Sequence, residues 1–228
     1  GGAARLDGAE VAEVYSDLSA SVGGVDITGA ARLAENKSKA FIGTQRNGPF
    51  ILARDEAERL IAEPSNFGTH PNFNVVRRWS NGVDITGRPS DSWIIDFDDL
   101  PLSEAALYEK PFKIVEERVK PTREGLRRRN HREYWWQYGE NRPGLRRAVH
   151  PLQRIIVTAM VAKHRMFVWL PKKQIPENLC VAIARDDDTT FGILQSRFHE
   201  LWALRMGTWL GKGNDPRYTP SQGNRFWR

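Results

Sequence analysis

Apolar and polar positions along this chain change period often, moving between the two-residue repeat of a half-buried strand and the three-to-four-residue repeat of an amphipathic helix. In residues 9–20, AEVAEVYSDLSA, the spacing of Val11, Val14, Tyr15 and Leu18 predicts a short helix. Two short strands are expected in 41-FIGTQRNGPFIL-52 around an Asn47-Gly48 turn, because that dipeptide tolerates left-handed backbone. A helix begins in DEAERLI, 55–61, and residues 64–74 form a loop. FNVVRRW, 73–79, and WIIDF, 93–97, read as strands on either side of a polar turn. Within that turn 24-GVDITG-29 recurs as 82-GVDITG-87, but the flanks differ, so each copy reads as a turn or strand end and not as half of a duplication.

Farther along, Ser103 is placed to cap a short helix over residues 103–108. PFKIVEERVK, 111–120, sets Phe112, Val115 and Val119 on one helical face until Pro121 breaks or kinks it. QRIIVTAMVA, 153–162, and RMFVWL, 165–170, resemble one hairpin; LCVAIA, 179–184, and TTFGIL, 189–194, resemble another across three aspartates. A helix over about 195–206 carries Phe198, Leu201, Trp202 and Arg205, and the Gly-, Pro- and Asn-rich tail is expected to be irregular. No linker divides the chain cleanly. The pattern predicts an α+β unit of mixed or antiparallel sheets with interspersed short helices, spanning residues 21–228 after an N-terminal helix or linker over residues 1–20.

Composition supports a packed domain: 40% of the 228 residues are hydrophobic and eight are tryptophan. The single cysteine, Cys180, has no internal disulfide partner and sits in an apolar strand, which fits a reducing cytoplasm. No apolar run approaches the ~18 residues of a membrane span, and residues 1–20 lack a basic-then-apolar signal. A Gly-Gly start without methionine suits a segment cut from a longer polypeptide or the remnant of a tag.

Charge placement changes the picture most. Residues 118–147 hold ten Arg or Lys against three Glu, residues 197–228 hold six against two acids, and the rest of the chain is net negative although the whole is +6. Two arginine-rich blocks on an acidic body read as a polyanion footprint, since phosphate contacts release counterions and arginine binds phosphate or guanine bidentately.

The acidic string Asp96-Phe97-Asp98-Asp99 invites a divalent-metal reading, with a small nuclease using Asp96, Asp98 and Glu117 as the enzyme alternative. The spacing opposes it. In Glu116-Glu117-Arg118-Val119-Lys120 the lysine falls three positions from Glu117 inside a helix, and Glu35-Asn36-Lys37 fits E-x-K only as any short pattern would. Structural acids, at the end of a strand and near a helix start or paired to an arginine, are the plainer reading. Asn47-Gly48-Pro49-Phe50 resembles the base-holding loop of amino-methyltransferases only loosely, and no glycine-rich cofactor loop precedes it. Five histidines fall at no ligand spacing. Trp135 and Trp136, amid arginines, suit either core packing or base stacking.

Taken in order, 41-FIGTQRNGPFIL-52, 93-WIIDFDDLPLSEAALYEKPF-112, 118-RVKPTR-123, 134-YWWQYGENRPGLRR-147, 191-FGILQSRFHELWALRMG-207 and 217-RYTPS-221 resemble the target-recognition domain of single-chain type IIL restriction-modification enzymes and their N6-adenine DNA methyltransferase relatives. The resemblance implies a non-catalytic DNA reader with no metal or cofactor of its own. S-adenosylmethionine is expected in an upstream methyltransferase domain of the same polypeptide, which a nuclease domain accompanies in that family. It implies that base choice lies in 207-GTWLGKGNDPRYTPS-221, making Lys212, Asn214, Asp215 and Arg217 the base-edge candidates, a residue set that also suits guanine, adenine and cytosine chemically. Arg123, Arg127, Arg128, Arg132, Arg142, Arg146 and Arg197 are expected on phosphates of double-stranded DNA. The ending QGNRFWR departs from the Phe-Pro-x-Pro usual in those relatives, and an RNA- or protein-interaction domain is the remaining alternative.

Overall fold

The computed structural model describes residues 4–6, 8–12, 14, 33–63, 70–210 and 215–220. At the N-terminal end β1 (Ala4–Leu6) and β2 (Ala9–Val11) pair antiparallel around Gly8, whose φ of 82° only glycine adopts freely. The helix expected over residues 9–20 therefore does not start there, because Glu10 faces Arg5 across the hairpin; residues 15–20 lie outside the described set.

Beyond it, β3 (Ala40–Ile42) leads through the Asn47-Gly48 turn to β4 (Ile51–Leu52) and α1 (Arg54–Ala62). β5 (Val76–Arg78), α2 (Gly82–Thr86) and β6 (Trp93–Ile95) follow. Five helices come next: α3 (Leu102–Ala105), α4 (Glu109–Arg118), α5 (Lys120–Glu124), α6 (Arg129–Glu133) and α7 (Pro143–Val149). The chain then runs through β7 (Arg154–Ala159), β8 (Val168–Pro171), β9 (Cys180–Ile183), α8 (Asp188–Gln195), α9 (Arg197–Met206), β10 (Thr208–Leu210) and β11 (Asp215–Arg217). This is an α+β fold whose named strand pairings are all antiparallel.

Two sheets organise three buried clusters among the described residues. β4-β6-β5 forms a three-stranded sheet whose Leu52, Val76 and Ile95 pack with Phe50, Phe97, Val115, Val119, Trp135, Trp136 and Tyr138. β3-β9-β7-β8 forms a four-stranded sheet buried on both faces. Ile155, Val157, Cys180 and Ala182 meet α7 on one side, and Ile156, Val181 and Ile183 meet Phe167, Leu194 and Tyr218 on the other. Burial on both faces is why residues 153–162 read as a nearly continuous apolar run. β3 and β4 do not pair with each other, because Phe41 packs in one cluster while Phe50 and Leu52 pack in another.

Side-chain capping overrode several strand and turn expectations. The second GVDITG is helix α2: the Asn81 side chain accepts from the Val83 and Asp84 amides and the Asp84 carboxylate accepts from the Asn81 amide, a complete capping box. The first copy lies outside the described residues. TTFGIL is helix α8 and not a strand, because Asp187 accepts from the Thr190 amide at 2.7 Å and from its hydroxyl at 2.9 Å. Ser103 lies inside α3, which starts after Pro101 without a side-chain cap. Pro121 separates α4 from α5 and occupies the first turn of the latter, where a missing N–H costs nothing. The tail expected to be irregular contains the β10–β11 hairpin.

Candidate nucleic-acid interface

The acidic string and one of the expected phosphate contacts explain each other. β6 ends at Ile95 and the backbone turns left-handed at Asp98, with φ of 55°. That turn puts Asp96 inside, 4% exposed, where Arg146 grips it with both terminal nitrogens at 3.0 and 2.9 Å and Arg77 adds a third bond at 3.3 Å. Arg146 Nε also lies 2.9 Å from Asp98 and donates to the Asn141 carbonyl at 2.9 Å. Burial opposes the charge on Asp96, but the two guanidiniums outweigh it and hold the carboxyl below its ordinary value. Asp98 goes the other way: burial, Asp96 and Asp99 raise it despite Arg146. Arg146 is thus a counterion to Asp96 and Asp98, with its side chain 9% exposed, where the sequence reading expected a phosphate contact. The nuclease reading loses its central ligand too, since both Asp96 oxygens are taken, while Glu117 stands exposed on α4, 3.9 Å from Lys113.

Arg123 is likewise corrected. It is 1% exposed and donates to four carbonyls, those of Arg46 at 2.7 Å, Gln137 at 2.7 Å, Asn47 at 3.3 Å and Tyr134 at 3.3 Å, with its Cζ 5.3 Å from the Phe50 ring centroid. With no carboxylate beside it, burial lowers its pKa to about 10. It clamps the Asn47-Gly48 turn to the segment after α6. Trp135 and Trp136 are core residues, and Trp136 Nε1 donates to the Leu100 carbonyl at 2.9 Å.

The other block arginines remain at the surface. Arg127, Arg128 and Arg132 are exposed on the α5–α6 connection and α6. Arg132 donates back to the Leu126 carbonyl and, at 3.2 Å, to that of Arg127, which braces the strand of backbone carrying Arg127 and Arg128. Arg128 lies 3.8 Å from Glu140, a pair too exposed to hold it firmly. Arg142, at φ 55° ahead of α7, is half-buried between Glu140 at 3.5 Å and the Gly43 carbonyl at 3.3 Å. Arg197 is exposed in the first turn of α9, remote in sequence from the others.

Arg127 and Arg128 form one wall of a groove of about 630 Å³; its opposite wall is the Gln45 to Pro49 turn, and Thr122, Leu126, His131 and Glu140 complete the lining. Sequence reasoning assigned nothing to Gln45, and read Asn47 as part of a turn, with only a loose likeness of Asn47-Gly48-Pro49-Phe50 to a base-holding loop.

Of the base-edge candidates, Lys212 and Asn214 lie outside the described residues. Asp215 and Arg217 sit on β11, opposite Leu210 and Thr208. The hairpin is anchored from below. Arg165 donates to the Pro216 carbonyl and the Thr158 hydroxyl, both at 3.1 Å, and to the Ala159 carbonyl, while its Cζ lies 5.1 Å from the Tyr218 ring centroid. Tyr218, 1% exposed, donates its amide to Met160 at 2.7 Å and shares a hydroxyl hydrogen bond of 3.1 Å with His199 Nε2. Burial, reinforced by Arg165, pushes His199 down to about 4. Neither Arg165 nor the His199–Tyr218 pair was legible in sequence as support for the hairpin.

No family model and no curated protein matches the sequence. Among solved structures, the fold is similar to that of the type IIL restriction-modification enzyme MmeI in complex with DNA, with a TM-score of 0.66 and 17% identity over 95% of this chain. The chain spans 28% of that enzyme's length. The likeness is one of fold, which this chain shares with part of that enzyme.

Proposed function

We propose that this chain is the sequence-specific double-stranded DNA recognition module of a bacterial type II restriction-modification methyltransferase, with S-adenosylmethionine-dependent N6-adenine methylation carried out by a domain outside it. The observation that carries this reading is the fold likeness over 95% of the chain to part of an enzyme solved with DNA. The exposed Arg127, Arg128 and Arg132 give a basic edge for phosphates, and the anchored β10–β11 hairpin offers Asp215 and Arg217 for base edges, with Lys212 and Asn214 between the strands in sequence. S-adenosylmethionine is assigned to the other domain because, among the described residues, the named strand pairings are antiparallel and no strand, glycine-rich loop and helix follow one another as in folds that cradle such cofactors. The methyltransferase domain, with or without a nuclease, is the expected partner within one polypeptide.

The test is duplex DNA binding by the full chain across a salt series. Affinity is expected to fall linearly on a log–log plot with a slope set by the number of neutralised phosphates, and exchanging Lys212, Asn214, Asp215 or Arg217 is expected to alter sequence preference. Salt-independent association, or tighter binding to single-stranded RNA, refutes the reading.

A further inference from the structure

The groove between the Gln45 to Pro49 turn and the α5–α6 connection has features that a phosphate footprint alone does not need. Its walls are tied together from behind: Gln45 and Glu140 exchange backbone hydrogen bonds at 3.0 Å, the Gly139 amide donates to Arg46 at 3.1 Å, and the buried Arg123 bridges the carbonyls of Arg46 and Asn47 to those of Tyr134 and Gln137. Close approach is built in, because a Cβ on Gly139 would lie 2.8 Å from Asn47 Nδ2 and one on Gly48 would lie 2.9 Å from Val119 Cγ1. The backbone hydrogen bonds are thus spent on rigidity, whereas the side-chain amides of Gln45 and Asn47 have no hydrogen-bond partner among the described residues. Across the groove, among the described residues, Arg127 has none for its guanidinium and Arg128 has the exposed Glu140. Pro49 and Leu126 supply apolar surface between amides and cations.

Carboxamides that each offer a donor and an acceptor, held on a rigid turn beside two exposed cations, of which Arg128 faces only the exposed Glu140 at 3.8 Å, match the chemistry of a base edge flanked by phosphates. We propose that this groove is a second base-reading subsite for duplex DNA, separate from the β10–β11 hairpin, in which Gln45 and Asn47 read a base pair and Arg127 and Arg128 hold the adjoining backbone. The proposal rests on the DNA-recognition reading above. Adenine is the favoured base, because a carboxamide pairs bidentately with its N6 and N7.

The experiment is selection of binding sites by the full chain from duplex DNA with a randomised core, followed by sequencing, for the wild type and four variants. Gln45→Ala is expected to cost one base-pair position about tenfold or more in discrimination while the other positions keep theirs. Gln45→Glu preserves size but removes the donors, and shifts that position towards cytosine, whose amino group a carboxylate accepts from. Asn47→Asp, which keeps a residue tolerant of the left-handed backbone, acts in the same way on its own position. Arg127→Ala with Arg128→Ala weakens all duplexes alike and lowers the salt slope by about two, with the motif intact. Gln45 and Asn47 variants that melt like the wild type and select an unchanged motif at every position overturn the subsite and leave the DNA-reading function standing. A wild type that selects no motif, or that prefers single-stranded RNA, overturns both.

Discussion

Replacing Arg146 by methionine tests whether that arginine serves the interior or the DNA. The side chain is buried against Asp96 in a bidentate pair of 2.9 and 3.0 Å, so its loss leaves a carboxylate inside the protein with Arg77, at 3.3 Å, as the remaining cation beside it and the Asp98 amide, at 3.0 Å, as a further donor. Breaking a buried pair on one side costs about 3–5 kcal/mol, because the remaining charge is left without compensation. For a domain of this size each kcal/mol lowers the melting midpoint by about 2–4 °C, so a loss of about 10 °C is expected. Asp96→Asn should cost a similar amount, since Arg77 then loses its carboxylate and Arg146 keeps only Asp98. Equilibrium urea unfolding of both single variants and the double Asp96→Asn/Arg146→Met variant reads the coupling. The double should be about 2 kcal/mol or more better than the sum of the singles, because neither charge of the pair remains to be compensated. Because Asp96 is held below its ordinary value, the pair's contribution is fully present above about pH 4 and is lost as pH falls through the folded-state value. Additive single effects of less than about 1 kcal/mol refute the argument. So does an Arg146→Met protein of unchanged stability whose salt slope for duplex DNA falls by about one, the signature of a phosphate contact.

Three further outcomes follow from the same geometry. His199 is held near 4 in the folded protein against about 6.5 when unfolded, so stability should drop as pH falls from about 6.5 to about 4, by up to about 3 kcal/mol; a series of urea midpoints should show this, and His199→Gln should flatten it. Gly43→Ala places a Cβ well inside contact distance of the Pro176 and Glu177 carbonyl oxygens, where backbone cannot give way as a side chain would, and should destabilise by about 2–3 kcal/mol in the same assay. Arg165→Met removes the donors to Pro216 and Thr158, so hydrogen exchange at the Tyr218 amide should accelerate and sequence preference should blur while affinity for unrelated duplexes holds; unchanged exchange would mean the hairpin is anchored without it.

What the sequence determined by itself was whatever depends on neighbours along the chain. The period of apolar positions located β7, β8, α1, α4 and α9, and the α+β class with antiparallel sheets followed from them. The net charge of residues 118–147 was equally legible, being a matter of composition. Local capping chemistry was also written there but was outvoted: Asn81 with Asp84, and Asp187 with Thr190, make helices of strings that looked like turn and strand. Tertiary structure alone decided which arginines belong to which task. Arg123 and Arg146 read the same as Arg127 and Arg128 in one dimension, and only folding brings Asp96 to Arg146 across 50 positions, or the Arg46 carbonyl to Arg123 across 77. The physical reason is that a guanidinium's role is set by its surroundings. Where carbonyls or a carboxylate surround it, it holds the protein together; where only solvent or an exposed carboxylate meets it among the described residues, it remains available to an anion from outside.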